Sequence, residues 1–388
     1  MPAYLKKLGG GGIVAKGGAK STSTDSSRSQ IYSIQALRGL AALAVVIAHA
    51  FEHGKLGGIP ALFAGRFGVE VFFVISGFVI TLAAGTGQFD PKDFAIRRFL
   101  RVAPLYWATT FLVAGLAFAL PAVFKTTVFD LEYFLKSIFF IPEPLPGTRD
   151  WRPLFKLGWT LNYEIFFYML VGAFFWCRSG LMRSALLMVV MTALLALSFG
   201  VLPRSGIVAF YANLNLMPFM AGVVICELTR QRPGILSSMA SYAPLLLAAA
   251  LAAIIWALTF THEEYRALPG HVALSTAAAA VVVAALSLER VFRRSSTIWS
   301  WLGNISYSLY LLHLFVVGVG WAVVRRLGGG GYDSVVTFVG IGAMIVASLI
   351  AATLGYRLFE VPLAKFAKRL TAPRRRVATM VDPGVQPV

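Results

Sequence analysis

The stretch that decides the fold is SIQALRGLAALAVVIAHAFEHG, residues 33–54. It is long and apolar enough to cross a bilayer, since a membrane helix needs about 20 mostly apolar residues. Arg38 near one end of the apolar run and His49 near the other depart from that pattern. Ionisable residues inside a membrane span are costly and mark a functional site by default. They predict polar partners on other helices of the same bundle.

The composition of the whole chain is that of a membrane protein. Of its 388 residues, 58% are hydrophobic and 13% charged, whereas soluble domains carry about 25% charged residues. Lipid leaves backbone groups no partner outside a helix or a closed barrel, and helix-length runs exclude the barrel. The predicted fold is an all-α integral membrane protein with about ten transmembrane helices in one bundle. The spans lie near residues 34–50, 67–84, 100–123, 161–177, 185–202, 207–226, 243–261, 271–288, 298–323 and 334–356.

The remaining segments define the predicted domain organisation. Residues 1–30 are polar and rich in glycine, serine and threonine, which predicts a disordered cytoplasmic tail. Residues 31–364 form the transmembrane domain, and residues 365–388 are predicted to be a basic cytoplasmic tail. A further apolar run at 131–141 is too short to span, so we expect an interfacial or re-entrant piece there.

The net charge of +18 indicates orientation rather than nucleic-acid binding. With the N-terminus inside, 24 of the 35 lysines and arginines fall on the cytoplasmic side, in accord with the positive-inside rule. This distribution predicts that both termini are cytoplasmic and that nucleic acid is not a partner. The two cysteines, Cys177 and Cys226, offer neither a disulfide framework nor a metal site, so no metal is expected.

Ionisable residues of four predicted helices fall at similar depth. Arg38 and His49 lie eleven residues apart, which places them on one helix stripe about 16 Å apart, with His49 towards the outside. Glu70, Glu164 and His313 are predicted to reach the depth of His49. A carboxylate beside an imidazole fixes its tautomer and raises its basicity. The pattern predicts proton chemistry, in either a transporter or an enzyme.

Three arginines precede the third predicted span. Arg97, Arg98 and Arg101 lie on the cytoplasmic side in this topology, and arginine forks suit phosphates. Arg97 and Arg101 share a helix face by their spacing. They form a candidate dock for a phosphorylated cytoplasmic cofactor.

Each candidate also has a purely structural interpretation. The three arginines could be positive-inside residues that touch lipid phosphates, and Glu70 could pair with Arg66 one turn earlier. His313 could be a hydrogen-bonded core histidine, and Ser306 could bond to backbone in a tight helix contact. Trp159 could belong to the interfacial aromatic belt. The residues alone leave these alternatives open.

Five motifs carry a resemblance to a known family. In chain order they are Arg38-x10-His49, GVEVFFVISGF, Arg97-Arg98-x-x-Arg101, WTLNYEIFFY and ISYSLYLLH. Over roughly residues 31–365 the chain resembles the membrane acyltransferase-3 family of bacterial sugar O-acyltransferases. Its opening is most similar to the branch that acetylates exopolysaccharides. The motifs add further site candidates, which are Ser306, Tyr307, Trp159 and Tyr168.

The resemblance implies an enzyme of the bacterial cytoplasmic membrane that takes an acyl group, usually acetyl, from cytoplasmic acyl-CoA. It delivers the group to a sugar hydroxyl on the extracytoplasmic side, so a carbohydrate acceptor, the lipid bilayer and polysaccharide-assembly proteins are the implied partners. In the family the Arg/His pair is needed for activity and the RRxxR motif is associated with acyl-CoA. These roles carry over to Arg38 and His49, and to Arg97, Arg98 and Arg101.

Two questions stay open. His49, oriented by Glu70 or Glu164, could act as a general base on the sugar hydroxyl or as a transient acyl carrier. The alternative function is a proton-coupled sugar or saccharide transporter, which would also use intramembrane histidine and glutamate. That alternative leaves the RRxxR motif without a role, and acyl-CoA dependence separates the two.

Overall fold

Helices make up the regular structure of this chain. The computed structural model describes residues 30–53, 58–119, 129–148, 150–200, 206–328 and 334–371. Within these ranges every regular element is helical, apart from one isolated bridge between Pro144 and Trp151. The all-α class is therefore confirmed.

Ten long helices occupy the ten predicted apolar runs. They are α1 (Tyr32–His53), α2 (Gly58–Ala84), α3 (Pro91–Ala119), α4 (Gly158–Ala173), α5 (Gly180–Ser198), α6 (Leu216–Gln231), α7 (Ala243–Leu258), α8 (Leu268–Ser287), α9 (Ser296–Leu327) and α10 (Ser334–Gly355). The short helices are Leu131–Ile138, Ile207–Tyr211, Ile235–Ser238, Ala240–Tyr242, His262–Arg266, Glu289–Arg294 and Val361–Leu370, and Tyr356–Glu360 forms a π-helical turn.

Eight helical segments of the described chain are long and apolar enough to span a bilayer. Helices α4 and α6 have 16 residues each and extend about 24 Å, against roughly 30 Å of hydrocarbon. The chain is therefore a multi-pass membrane protein. The count of ten spans and the cytoplasmic position of both termini stay predictions.

The predicted span 207–226 is broken into the short helix Ile207–Tyr211 and α6. Between them the side chain of Asn213 accepts a hydrogen bond from the backbone N–H of Asn215 at 3.1 Å. Asparagine side chains stabilise turns in this way, and Pro218 sits in the first turn of α6, where its missing N–H has no cost. The apolar composition of the run concealed this break.

Helix α1 lies between α2 and α9, and α2 also packs on α6 and α8. Small residues line these contacts, because helices in lipid associate through close packing rather than through a hydrophobic driving force. A Cβ at Gly68 would come within 2.7 Å of the Ala41 carbonyl oxygen, and one at Gly303 within 2.6 Å of the Gln35 carbonyl oxygen. The close approach of α2 and α9 encloses the polar stripe of α1.

The short run at 131–141 forms the helix Leu131–Ile138, in accord with the prediction that it does not span. The helix packs on α3, because the Tyr106 hydroxyl donates to the Ser137 carbonyl at 2.9 Å. The indole N–H of Trp107 likewise donates to the Ile138 carbonyl at 2.8 Å.

At the C-terminal end, α10 continues through the π-helical turn into the helix Val361–Leu370. This last helix includes Lys365, Lys368 and Arg369, the first basic residues of the predicted tail, and the domain boundary at residue 364 stays a prediction. The predicted tail 1–29 and residues 372–388 lie outside the described residues.

The closest helix contact gives a stability prediction. A Cβ at Gly222 of α6 would lie 2.1 Å from the Val74 carbonyl oxygen and 2.6 Å from the Phe78 nitrogen of α2. Because both are backbone atoms, Gly222→Ala should destabilise the protein by about 1–3 kcal/mol. The measurement is the melting temperature of the detergent-purified protein.

The matched control is Gly115→Ala in α3, where an added Cβ meets nothing within 4 Å. Alanine has a higher helix propensity than glycine, so the melting temperature of this variant should equal or exceed that of the wild type. Equal melting temperatures for the two variants would contradict the proposed close contact between α2 and α6.

Candidate active site

Two histidines from different helices meet inside the bundle. The Nε2 atom of His313 lies 3.3 Å from the Nδ1 atom of His49, and the ring centroids are 5.1 Å apart. His313 is fully buried and His49 is half-buried. We call these two residues the histidine pair. The structure brings together two of the four residues that were expected to converge.

Backbone carbonyls define the tautomers of the histidine pair. The Nδ1 atom of His49 lies 2.9 Å from the Val45 carbonyl oxygen, and that of His313 lies 3.1 Å from the Leu309 carbonyl oxygen. A carbonyl oxygen only accepts, so a hydrogen bond at either contact needs a proton on that Nδ1 atom, and we assign this tautomer to both rings. The Nδ1–H of His49 is then shared with Nε2 of His313, and the basic lone pair of His49 is on its own Nε2.

The other end of α1 carries a cluster of charges. The guanidinium of Arg38 interacts electrostatically with Arg101 of α3, Glu164 of α4 and Glu360 of the π-helical turn. We call these four residues the inner charge cluster. The cluster holds two cations and two carboxylates, so its formal charges balance, which lowers the cost of placing charge away from water. The Tyr168 hydroxyl donates a hydrogen bond to Glu164.

Glu360 is the member of this cluster that the sequence did not reveal. Its Oε1 atom accepts hydrogen bonds from the Ser308 hydroxyl at 2.5 Å and from the Ser308 backbone N–H at 3.1 Å. The predicted last span ended at residue 356, which left Glu360 outside the search for intramembrane charges. Two features could have indicated it. It is the single acidic residue between positions 334 and 380, and π-helical turns are frequent at functional sites.

A polar face of α9 joins the inner charge cluster to the histidine pair. Tyr307, Tyr310 and His313 follow each other at intervals of three residues and so lie on adjacent positions of one face. The ring of Tyr310 is 6.2 Å from that of His313, and its hydroxyl lies 2.9 Å from the Thr160 Oγ1 atom. Glu164 interacts electrostatically with both tyrosines. These contacts place polar side chains of α4 and α9 between the inner charge cluster and the histidine pair, and we call this set the polar path.

The three arginines of the RRxxR motif do not act as one group. Arg98 and Arg101 both interact electrostatically with Tyr168, and only Arg101 belongs to the inner charge cluster. Arg97 instead forms an ion pair with Asp93, with Nη2 2.9 Å from the carboxylate. Arg97 and Arg101 keep their i,i+4 spacing on α3, but Arg97 pairs with Asp93, whereas Arg98 and Arg101 both interact with Tyr168.

Glu70 lies in a different polar cluster. It accepts a hydrogen bond from the Ser275 hydroxyl at 2.8 Å, and Arg66 and His271 each approach its Oε1 atom to 3.7 Å. On the same helix Gly68 packs on α1, and two residues turn a helix by about 200°. Glu70 therefore faces away from α1, and the structure does not bring it to the histidine pair. The predicted ion pair with Arg66 is present.

Two further candidates have local partners. The hydroxyl of Ser306 is fully buried and donates to the Gly303 carbonyl at 2.7 Å within α9, which matches its structural interpretation. The ring of Trp159 packs edge-on against Phe73 and Tyr163, at 6.2 and 6.1 Å between centroids. These contacts are core packing, so we do not include either residue in the site.

Over the described ranges, no group of three or more histidine, cysteine, aspartate or glutamate residues could hold a metal ion. Cys177 and Cys226 are both buried and unpaired by a disulfide.

Comparison with known proteins gives the class of this site. The family model described as "Acyltransferase domain" matches residues 31–357. The chain is 32% identical over 323 residues to the exopolysaccharide production protein ExoZ of Rhizobium meliloti (strain 1021), covering 79% of this chain and 93% of that protein. It is 28% identical over 383 residues to the acyltransferase MdmB of Streptomyces mycarofaciens, covering 90% and 95% respectively. No solved structure gives a significant match.

The chain therefore belongs to the acyltransferase-3 family, and it is an acyltransferase. The matched region contains the histidine pair and every member of the inner charge cluster except Glu360, which follows it by three residues.

The geometry of the histidine pair predicts how its members depend on each other. His49→Ala and His313→Ala should each lower acyl transfer by roughly 100-fold or more, since positioned acid–base groups contribute about that much. The double variant should transfer acyl groups no more slowly than His49→Ala, because the effects of substituting residues that act as a unit do not add. The measurement is the rate of acyl transfer by protein reconstituted in nanodiscs.

His271→Gln is the matched control. It alters another buried histidine that lies in the Glu70 cluster, so its transfer rate should stay within a few-fold of the wild type. A loss of transfer rate as large as that caused by His313→Ala would show that the Glu70 cluster belongs to the site.

Proposed function

We propose that the protein is a transmembrane O-acyltransferase that moves an acetyl group from cytoplasmic acetyl-CoA to a sugar hydroxyl. The acceptor is an extracytoplasmic or lipid-linked polysaccharide, and the enzyme works in the bacterial inner membrane. The observation that carries this proposal is the polar path, which has arginines at one end and the histidine pair at the other. The name of the relative ExoZ, an exopolysaccharide production protein, supports the choice of acceptor.

The arginine end suits the nucleotide part of acyl-CoA. Arg101 is exposed, and it lies beside Arg98 at the mouth of the path through their shared partner Tyr168. Planar guanidinium groups bind phosphates through paired hydrogen bonds. With the phosphates held there, the narrow acyl-pantetheine arm would extend along α1 towards His49, about 16 Å away from Arg38.

The histidine end suits acyl transfer to a hydroxyl. As a general base, Nε2 of His49 would take the proton of the sugar hydroxyl while the hydroxyl oxygen attacks the thioester carbonyl. The C–S bond then breaks, and the imidazolium returns the proton to the departing CoA thiolate. His313 would hold the His49 ring in the required tautomer by accepting its Nδ1–H, a positioning role like that of a triad's third member.

The same geometry permits His49 to act as an acyl carrier. In that version Nε2 attacks the thioester carbonyl, the C–S bond breaks, and CoA leaves as the thiolate with His49 as an acetyl-imidazolium. The sugar hydroxyl then attacks the acetyl group, its proton passes to the thiolate, and neutral His49 is regenerated. Rapid quenching with radiolabelled acetyl-CoA separates the two versions. A labelled histidine that transfers its acetyl group to sugar supports the carrier, and its absence together with single-step kinetics supports the base.

The proposed reaction is tested with purified wild-type protein and His49→Ala in nanodiscs. Both are given acetyl-CoA and a surface-polysaccharide extract, and free CoA and sugar-bound acetate are followed together. We expect the wild type to release CoA and label sugar in equal amounts, and the folded variant to do neither. A wild type that uses no acyl-CoA of any chain length would contradict the proposed donor and would favour the transporter alternative.

The RRxxR motif contains its own matched control. Arg98→Gln and Arg101→Gln should each raise the KM for acyl-CoA by about 10-fold or more, the scale of a lost charge-assisted hydrogen bond. The kcat should change less, because these contacts are made equally in ground and transition states. Arg97→Gln should have a smaller effect, since Arg97 is paired with Asp93. Equal effects at all three positions would contradict the division of the motif.

A further inference from the structure

The helix Val361–Leu370 ends a helical segment that is longer than the hydrocarbon core of a bilayer is thick. Residues 335 to 370 form one candidate span of 36 residues, which corresponds to about 54 Å of helix. The hydrocarbon core is only about 30 Å thick. Because α10 begins this segment and crosses the core, its last part must lie at the level of the lipid headgroups.

This helix has two chemically distinct exposed faces. Lys365, Lys368 and Arg369 share one face by their spacing of three and four residues, and all three are exposed. Phe366 and Leu370 share another face and are 51% and 54% exposed. The buried residue Ala367 lies where the helix packs on α3. The helix is thus held by the bundle while a basic face and an apolar face stay uncovered.

Both uncovered faces fit an anionic phospholipid. Amphipathic helices with lysine and arginine beside phenylalanine and leucine lie at membrane interfaces, where the apolar side chains enter the acyl boundary. The basic side chains then bind negatively charged headgroups. The phosphates of a nucleotide would satisfy the basic face but would leave Phe366 and Leu370 in water. The apolar face therefore favours lipid as the occupant.

The same helix is joined directly to the candidate active site. Glu360, which immediately precedes Val361, accepts two hydrogen bonds from Ser308 of α9. It also interacts electrostatically with Arg38 and Arg101. Any force that fixes the position of the helix therefore also fixes the carboxylate of the inner charge cluster.

We propose that Val361–Leu370 binds anionic phospholipid headgroups of the leaflet beside it, and that this contact holds Glu360 in the inner charge cluster. Glu360 is a positioning residue in this proposal. The lipid contact does not depend on which acyl group or acceptor the enzyme uses, so it can be tested apart from the proposed function.

The test measures the depth of a nitroxide spin label at Phe366→Cys. The native Cys177 and Cys226 are buried, which favours labelling at the introduced site. Accessibility to oxygen and to a water-soluble nickel chelate is compared in nanodiscs of phosphatidylcholine alone and with phosphatidylglycerol. We expect the label to become oxygen-accessible and chelate-protected in the anionic discs. A label at Leu354→Cys, an exposed position of α10, should be oxygen-accessible in both.

Neutralising the basic face should reverse this change. One basic residue near an anionic leaflet contributes roughly a fivefold factor in the binding equilibrium. Lys365→Gln, Lys368→Gln and Arg369→Gln together should therefore lower the equilibrium constant for docking by about 100-fold at most. The matched control neutralises Arg290, Arg293 and Arg294, exposed residues of the helix Glu289–Arg294, and should leave the depth of the Phe366→Cys label unchanged.

Three results would overturn the proposal. The label at position 366 would be equally accessible to the chelate in both lipid mixtures, or the two triple variants would behave alike. Spin–spin broadening between labels would show that a second copy of the chain covers the apolar face.

Where acyl transfer is established, phosphatidylglycerol should raise kcat/KM severalfold in the wild type and not in the Lys365/Lys368/Arg369 variant. The depth measurement needs no turnover, so a failed acyltransferase assay would leave its outcome intact.

Discussion

A guanidinium inside a lipid bilayer must find counter-charges within the protein, and the arrangement around Arg38 follows from that constraint. Glu164 and Glu360 supply two carboxylates, while Arg101 adds a second cation. These four residues come from α1, α3, α4 and the π-helical turn, so four separate segments are drawn to one point. An isolated charge at this depth would carry a desolvation penalty that no single ion pair offsets easily. The inner charge cluster is thus both a structural requirement and a source of chemistry.

Helix α1 connects this cluster to the histidine pair. Its residues 38 and 49 lie on one stripe about 16 Å apart, and α9 lies along that stripe because Gly39 and Gly303 allow close approach. On α9, Tyr307 lies near the inner charge cluster, and Tyr310 lies between Tyr307 and His313. In the proposed function, the donor and the acceptor would bind at opposite ends of this path and meet at the histidine pair.

The two acidic residues Glu70 and Glu360 show where sequence reasoning succeeds and where it stops. Depth along a helix follows from counting residues, so Glu70 was placed near the level of His49. The face of α2 on which Glu70 lies depends on which neighbours α2 packs against, and its partners prove to be on α8. Glu360 joins the site because α10 continues through a π-helical turn, a local distortion that periodicity does not reveal.

The sequence by itself determined the all-helical class, the approximate positions of most long helices, the common stripe of Arg38 and His49, and the resemblance to the acyltransferase-3 family. These features depend on composition, on the 1.5 Å rise and 3.6-residue repeat of a helix, and on motifs of fixed spacing. Only the tertiary structure decided that His313 contacts His49, that Arg97 pairs with Asp93, and that Glu360 approaches Arg38 whereas Glu70 faces α8. The first and the last of these depend on the rotation of one helix against another, which is fixed by packing between residues far apart in the chain.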